Sequence, residues 1–249
     1  MTAEIVVLPS KAAVAEALAD RTAAALRAAL AAEPRATLCL TGGSTPVPAY
    51  RRLAEAEGVD WERVHVFWGD ERSVPPDHED SNYGMALETL LRPAGVPESN
   101  VHRMPGECPP AEGSAVYEQA LEQFFGDHLR FDVLHLGMGE DGHTASLFPG
   151  SPALGERDRR VVATESPPSS PVRDRLSLTL PTLAQAGLCL VAAAGEGKRE
   201  AFARVLDAYD GGGPAGEDAP PAARVAPEGR LVWLVDRALA QGVLEGGGE

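Results

Sequence analysis

Residues 36–57, ATLCLTGGSTPVPAYRRLAEAE, carry the pattern that decides the fold. A continuous apolar run, Ala36–Leu40, precedes a glycine-rich turn, and helical spacing follows the turn. A strand that is apolar at every residue is typical of a parallel sheet covered on both faces. The stretch therefore predicts one strand–turn–helix unit of an α/β protein.

The same pattern recurs along the chain. Apolar runs predict strands at Ile5–Leu8, Ala36–Leu40, Val64–Trp68, Phe131–Leu136, Val161–Thr164, Leu176–Leu180, Gly187–Ala193 and Leu231–Val235. Helical spacing predicts helices at Lys11–Ala32, Val47–Glu57, Ser81–Leu91, Ala111–His128 and Lys198–Tyr209. Strands that alternate with helices predict a Rossmann-like, mostly parallel sheet with helices on both faces.

We expect residues 1–249 to form a single domain, because no linker or internal repeat divides them. Residues 210–221 (DGGGPAGEDAPP) predict an exposed loop within that domain, since a core-like run, Leu231–Val235, follows. Residues 246–249 predict a frayed tail.

Composition and charge exclude several classes of protein and ligand. The hydrophobic fraction of 44% is that of a folded protein, and no apolar run approaches the ~20 residues that span a bilayer. We expect no signal peptide at Met1–Lys11, and three widely separated cysteines suit a reducing cytoplasm. A net charge of −15 disfavours nucleic acid, whereas a small phosphorylated ligand needs only a few local cations.

Four polar segments follow predicted strands, where ligands bind in open α/β sheets. The first, Thr41–Pro46, places glycines before a helix, as in anion sites, although an ordinary capped turn explains it equally well. The second, Gly69–Arg72 continuing to Ser81–Tyr83, offers two carboxylates, Asp70 and Glu71, and Arg72 to a polyol or phosphate; a solvated loop with local ion pairs is the simpler alternative.

The third segment, Gly137–Gly150 (GMGEDGHTASLFPG), presents Asp141 and His143 on a glycine-rich turn. Histidine, with an ordinary pKa of ~6.5, suits proton transfer near neutrality. The segment also matches a dinucleotide fingerprint, but Pro149 leaves too little room for the helix that the fingerprint requires. An Asp–His metal pair lacks a third ligand at a recognisable spacing, so we expect no metal.

The fourth segment is a pair of cations, Arg175 beside a strand and Lys198 after a Gly-Glu-Gly turn. A lysine at a glycine-preceded helix start suits a phosphate contact, although single surface cations are common.

Together these segments resemble the 6-phosphogluconolactonase family. The resemblance rests on TGGSTP (41–46), GDERSVPPDHEDSNY (69–83), GMGEDGHTASLFPG (137–150), RLSLTLPTL (175–183) and GEGK (195–198). The related glucosamine-6-phosphate deaminases typically carry I-A-F-N-E-P after the histidine, where this chain has Thr144–Pro149. Gly84 departs from the family, in which a basic residue is common there, and this departure bears on one substrate contact.

The resemblance implies hydrolysis of 6-phospho-D-glucono-1,5-lactone in the oxidative pentose phosphate pathway, without metal or organic cofactor. It implies a phosphate held by the backbone and hydroxyls of Gly43–Thr45 with Arg175 and Lys198, and it places His143 beside the lactone carbonyl and Arg72 in the substrate pocket. Gly42, Asp70 and Asn82 are the further candidate substrate-binding residues.

We hypothesise that His143 is the general base that activates water, and that Asp141 orients its ring. Backbone N–H groups of the glycine-rich turns, or Arg72, are the candidate oxyanion donors.

Three alternatives remain open: a sugar-phosphate deaminase or isomerase, a non-catalytic sugar-phosphate sensor, and a dinucleotide-dependent oxidoreductase. The sensor would need a DNA-binding module, for which we expect no space before Ile5. The oligomeric state, monomer or small homo-oligomer, stays open.

Overall fold

The structure, a computed structural model, describes residues 3–210 and 216–244. Its strands are β1 (Glu4–Leu8), β2 (Ala36–Leu40), β3 (Val64–Trp68), β4 (Asp70–Arg72), β5 (Phe131–Gly137), β6 (Val161–Glu165), β7 (Asp174–Leu178), β8 (Ala186–Ala193) and β9 (Arg230–Asp236). Its α-helices are α1 (Lys11–Ala32), α2 (Pro46–Ala54), α3 (Asn82–Ala86), α4 (Arg92–Ala94), α5 (Pro110–Phe125), α6 (Leu180–Ala184), α7 (Arg199–Asp210) and α8 (Arg237–Ala240). A π-helical turn, Leu87–Leu91, joins α3 to α4.

Six parallel strands form the central sheet in the order β1-β9-β8-β5-β2-β3. The prediction of a Rossmann-like, mostly parallel α/β sheet is confirmed. All five residues of β2 are buried, as expected for a strand covered on both faces. Since the strands run in one direction, their carboxyl ends share one edge of the sheet.

Helix α1 shows how local sequence sets an element. Ser10 caps its first turn by accepting a hydrogen bond from the Ala13 amide. Its alanine-rich sequence favours the helical state, and Leu18 and Leu26 on its inner face are fully buried. The predicted bounds, 11–32, are those of the structure.

A second sheet departs from the predicted pattern. Strands β4, β7 and β6 form a separate antiparallel sheet. β4 consists of three charged residues, so the search for apolar runs did not predict it as a strand. The predicted strand Leu176–Leu180 is shifted: β7 ends at Leu178, and Leu180 begins α6, whose second residue is a proline suited to a first helical turn.

The prediction that residues 210–221 form an exposed loop is wrong for the last residues of that range. Residues 211–215 lie outside the described residues, and Gly216–Asp218 are exposed, but Pro220 and Pro221 are buried. They are buried because this segment packs on the turn that carries His143. The predicted tail at 246–249 also lies outside the described residues. No helix in the described ranges is long and apolar enough to cross a membrane.

Candidate active site

A cavity of about 240 Å³ opens at the carboxyl edge of the central sheet. It lies there because the parallel strands β2, β5 and β8 end side by side, and the turns after them converge. Nine of the eleven predicted site residues line it, namely Gly42, Gly43, Ser44, Thr45, Asp70, Arg72, Asn82, His143 and Lys198. The other two, Asp141 and Arg175, lie in an adjoining depression, which Asp70, Arg72 and His143 also line.

The glycine-rich turn after β2 forms one wall. The hydroxyl of Tyr50, on α2, donates to the Thr41 carbonyl at 2.9 Å and accepts from the Thr41 amide at 3.0 Å, which anchors the start of the turn. Gly43 has a φ of 92°, a backbone conformation that favours glycine. The turn leads directly into α2 at Pro46, so it has the build of an anion site at a helix N-terminus.

Asp141 orients His143. One oxygen of the Asp141 carboxylate accepts from the His143 backbone amide at 3.0 Å and lies 2.6 Å from the ring nitrogen Nδ1. Burial raises the pKa of Asp141, but the hydrogen bonds from His143 outweigh it, and the pKa falls below its usual value. An ionised Asp141 accepts the Nδ1 proton, which leaves Nε2 with its lone pair.

The turn around His143 is tightly built. A side chain at Gly139 would overlap the imidazole, so only glycine fits beneath the ring. Gly142 has a φ of 87°, and Ala145 adopts a φ of 47°, a left-handed conformation that is uncommon outside glycine. The Thr144 hydroxyl donates to the Gly137 carbonyl at 2.8 Å and closes the turn on the end of β5. Backbone strain of this kind clusters at functional sites.

The buried carboxylate of Asp70 joins three parts of the site. It accepts from the Ser146 hydroxyl at 2.7 Å and from the Asn82 side-chain amide at 3.3 Å. Asn82 also donates to the Asp70 backbone carbonyl at 2.9 Å and packs so closely on Gly42 that no side chain fits there. Ser146 was not predicted; its place in the Gly137–Gly150 motif was the available signal.

Glu71, the second carboxylate of the Gly69–Arg72 segment, also belongs to the framework, although it was not among the eleven predicted site residues. Its carboxylate accepts from the backbone amides of Asn82 and Tyr83, both at 2.7 Å, at the start of α3. It further accepts from the Ser81 hydroxyl at 3.3 Å. Burial raises the pKa of Glu71 to about 7, against the lowering effect of these backbone hydrogen bonds. Glu71 therefore holds Asn82 in place rather than facing the cavity.

Arg72 and Arg175 form a cationic pair in the adjoining depression. They are register partners on β4 and β7. Arg175 is 8% exposed and donates to the Ser170 hydroxyl at 2.8 Å. Burial lowers the pKa of Arg175, and the neighbouring charge of Arg72 lowers it further. The structure thus groups Arg175 with Arg72, whereas the sequence grouped it with Lys198 and the glycine-rich turn.

Lys198 lines the cavity from the end of a 3₁₀ turn after β8. The turn begins at Gly195, whose φ is 99° and whose amide donates to the Asp236 carboxylate at 3.0 Å. Asp236 at the end of β9 was missed, because nothing in the sequence links it to the Gly195 turn. Burial lowers the pKa of Lys198.

Two further histidines, His65 in β3 and His135 in β5, do not line the cavity. His135 is fully buried in β5, where its Nε2 lies 2.7 Å from the Thr22 hydroxyl. His65 stacks on His102 near the edge of the sheet. Within the described ranges, no three His, Cys, Asp or Glu side chains are grouped so that they could hold a metal ion.

Comparison with known proteins agrees with this geometry. Residues 9–233 match the family model described as glucosamine-6-phosphate isomerases/6-phosphogluconolactonase. The chain is 39% identical over 244 residues to a 6-phosphogluconolactonase from a Nostoc species, covering 96% of this chain and 97% of that protein. It is 36% identical to the 6-phosphogluconolactonase of Mycobacterium tuberculosis, with 96% and 98% covered.

A solved structure extends the comparison. The 6-phosphogluconolactonase of Thermotoga maritima superposes with a TM-score of 0.81 at 29% identity, covering 95% of this chain and 100% of that one. The family match includes every segment that lines the cavity. The chain belongs to the glucosamine-6-phosphate isomerase/6-phosphogluconolactonase family.

Proposed function

We propose that this protein hydrolyses 6-phospho-D-glucono-1,5-lactone to 6-phosphogluconate, a step of the oxidative pentose phosphate pathway. The observation that carries the proposal is the Asp141–His143 pair beside a cavity that also contains an anion-type turn and Lys198. The relatives named above as 6-phosphogluconolactonases support the same activity. The substrate we propose is therefore a small phosphorylated sugar lactone.

In the proposed mechanism, His143 acts as general base through Nε2. It takes a proton from water as the water oxygen bonds to the lactone carbonyl carbon. The tetrahedral intermediate then collapses, the bond from that carbon to the ring oxygen breaks, and the imidazolium returns its proton to the ring oxygen. The resulting carboxylic acid loses a proton to solvent and gives the carboxylate product.

Arg72 is the side chain that we propose for the oxyanion, because it lines both the cavity and the depression together with His143. Its guanidinium also donates to the Asp80 carbonyl, which restricts its conformation. A charged donor held in place before the reaction stabilises negative charge as it develops on the carbonyl oxygen.

The phosphate would bind to the Gly42–Thr45 turn and Lys198. Binding energy from this remote group fixes the reacting carbon near His143 and so lowers the entropic cost of the reaction. Arg175, in the depression beside Arg72, would then act at the lactone end or on the product carboxylate rather than on the phosphate.

We also propose a cytoplasmic location, for which the support is that all three cysteines are free thiols. The net charge of −15 supports a small-molecule substrate over nucleic acid.

The decisive experiment follows the loss of freshly generated lactone against its spontaneous hydrolysis. His143→Ala should lower kcat by about 10²–10⁴-fold, because general base catalysis is removed. Binding of 6-phosphogluconate to the variant should stay close to that of the wild type, since the phosphate site is intact. A fully active His143→Ala would refute the proposed base.

A second assay tests the nearest alternative activity. Incubation with glucosamine 6-phosphate should release no ammonia. Release of ammonia together with failure to accelerate lactone hydrolysis would replace the proposed reaction with deamination.

A further inference from the structure

The protein contains only two lysines, Lys11 and Lys198. The fold places Lys11 in contact with the glycine-rich turn and Lys198 in the cavity that this turn lines. The Lys11 ammonium donates to the Ser44 hydroxyl at 3.2 Å. Ser44 and Lys198 line the same cavity. Burial is the largest cause that lowers the pKa of Lys198, and the positive charge of Lys11 is the second. The two ammonium groups are therefore close enough to repel each other.

The position of Lys11 in its helix is electrostatically unfavourable. It is the first residue of α1, at the end where the helix dipole is positive. No acidic residue in the first turn of α1 offsets its charge. A cation at this end is destabilising in the absence of an anion.

Neither lysine has a carboxylate partner within the described ranges, although the chain carries 37 acidic residues. Every ion pair found there uses an arginine or a histidine. Two unpaired cations that repel each other beside a turn built for anions are the arrangement expected around a bound anion.

We propose that Lys11 is a further substrate-binding residue, which with Lys198 brackets the phosphate dianion of the substrate at Ser44. The inference rests on the proposed function and extends it, because nothing in the motifs of the family resemblance includes Lys11. A phosphate monoester carries about −1.5 to −2 charges near neutrality, so two ammonium groups match it where one would not. The dianion would remove both the repulsion between the lysines and the unfavourable interaction of Lys11 with α1.

The test uses Lys11→Gln with Arg51→Gln as the matched control. Arg51 is an exposed cation near the end of α2, so its loss changes the net charge equally without touching the turn. Calorimetric titration with 6-phosphogluconate and with inorganic phosphate should show about fivefold weaker binding for Lys11→Gln, the scale expected for an exposed charge pair. Arg51→Gln should bind as the wild type does, and Lys11→Arg should retain most of the affinity.

Kinetics and salt provide independent readouts. For Lys11→Gln the KM for the phosphorylated lactone should rise by about the same factor while kcat changes less, because the contact is made equally in the ground and transition states. The difference from the wild type should shrink at high salt, since exposed charges are screened. Lys11→Glu, which suits the start of a helix, serves as a second variant that is expected to fold and to bind phosphate more weakly still.

The outcomes separate this inference from the proposed reaction. Equal phosphate affinity in Lys11→Gln and Arg51→Gln overturns the role of Lys11, whether or not the wild type hydrolyses the lactone. If the wild type hydrolyses no lactone but Lys11→Gln binds phosphate more weakly than the wild type, the proposed reaction is refuted and the role of Lys11 is supported. A wild type that binds neither phosphate nor 6-phosphogluconate overturns both.

Discussion

Asp141 and His143 lie two residues apart on a turn that lets one carboxylate contact both the backbone and the ring of the same histidine. The ring rests against Gly139, where no side chain fits. These contacts fix the ring orientation and favour the tautomer that carries its proton on Nδ1. The base proposed for the reaction therefore depends on a single neighbouring carboxylate.

Asp141→Asn should keep the size of this side chain but lose the charge that favours the required tautomer. We expect kcat to fall by about 100-fold, within the range for loss of general base catalysis, with KM little changed. Asp158→Asn, the same change at an exposed aspartate, is the control. An Asp141→Asn enzyme with a kcat close to that of the wild type would show that His143 needs no such partner.

At the scale of elements, helices α2 and α5 and residues 220–222 bond to the strand ends and to the turns that follow them. Tyr117, on α5, bonds both the amide and the carbonyl of Trp68 at the end of β3, as Tyr50 does for Thr41 after β2. Behind the His143 turn, the Ala222 amide donates to the Gly142 carbonyl at 3.1 Å, and a proline, Pro220, packs on the same glycine. This segment thus supports the turn although it lies almost 80 residues further along the chain.

Ala222→Pro removes the amide that bonds to Gly142 and should loosen the His143 turn. We expect kcat to fall by about tenfold, since small displacements of catalytic groups are costly, while phosphate affinity changes little. Ala226→Pro, an exposed neighbour before Pro227, controls for the added proline. If kcat in Ala222→Pro equals that of Ala226→Pro, the contact does not position the turn.

At the scale of the whole molecule, the parallel sheet concentrates function and charge at one edge. The glycine-rich turn follows β2, the His143 turn follows β5 and Lys198 follows β8, so these groups lie along that edge, and Arg72 and Arg175 line the adjoining depression. In a chain with a net charge of −15, these cations are the local partners that an anionic substrate requires.

The environment of His102, which bonds to the edge strand β3, predicts how the free energy of unfolding depends on pH. Burial, then the charges of His65 and Arg35, lowers the pKa of His102 to about 4, and its ring stacks on Phe67. Because the unfolded chain binds this proton near pH ~6.5 and the folded chain does not, stability is lost as the pH falls from about 6.5 towards 4. His135, whose pKa burial lowers to about 3, acts in the same direction.

Urea unfolding at about pH 7.5 and about pH 5 measures this dependence. His102→Phe should lose about 1 kcal/mol less stability than the wild type between the two pH values, allowing for the partial exposure of the ring. His128→Phe, at an exposed position, should lose as much as the wild type. Equal losses in His102→Phe and the wild type would mean that His102 does not contribute to acid sensitivity.

Much of the local structure follows from the sequence alone. The bounds of α1 and β2 match the prediction, because a cap, helical spacing and a fully apolar run act within a few residues. The Asp141–His143 turn was also predictable, since its glycines, the carboxylate and the imidazole lie within a few residues of one another in the sequence. β4 was not, because its stability comes from pairing with β7 more than a hundred residues away.

The sequence by itself determined the α/β class, the motifs at the strand ends and the histidine most suited to proton transfer, because these depend on short-range patterns. Only the tertiary structure decided that Arg175 pairs with Arg72, that Lys11 reaches Ser44, and that Pro220 packs behind Gly142. Each of these contacts joins residues more than thirty positions apart. Their meeting depends on strand order and helix packing, which no local pattern encodes.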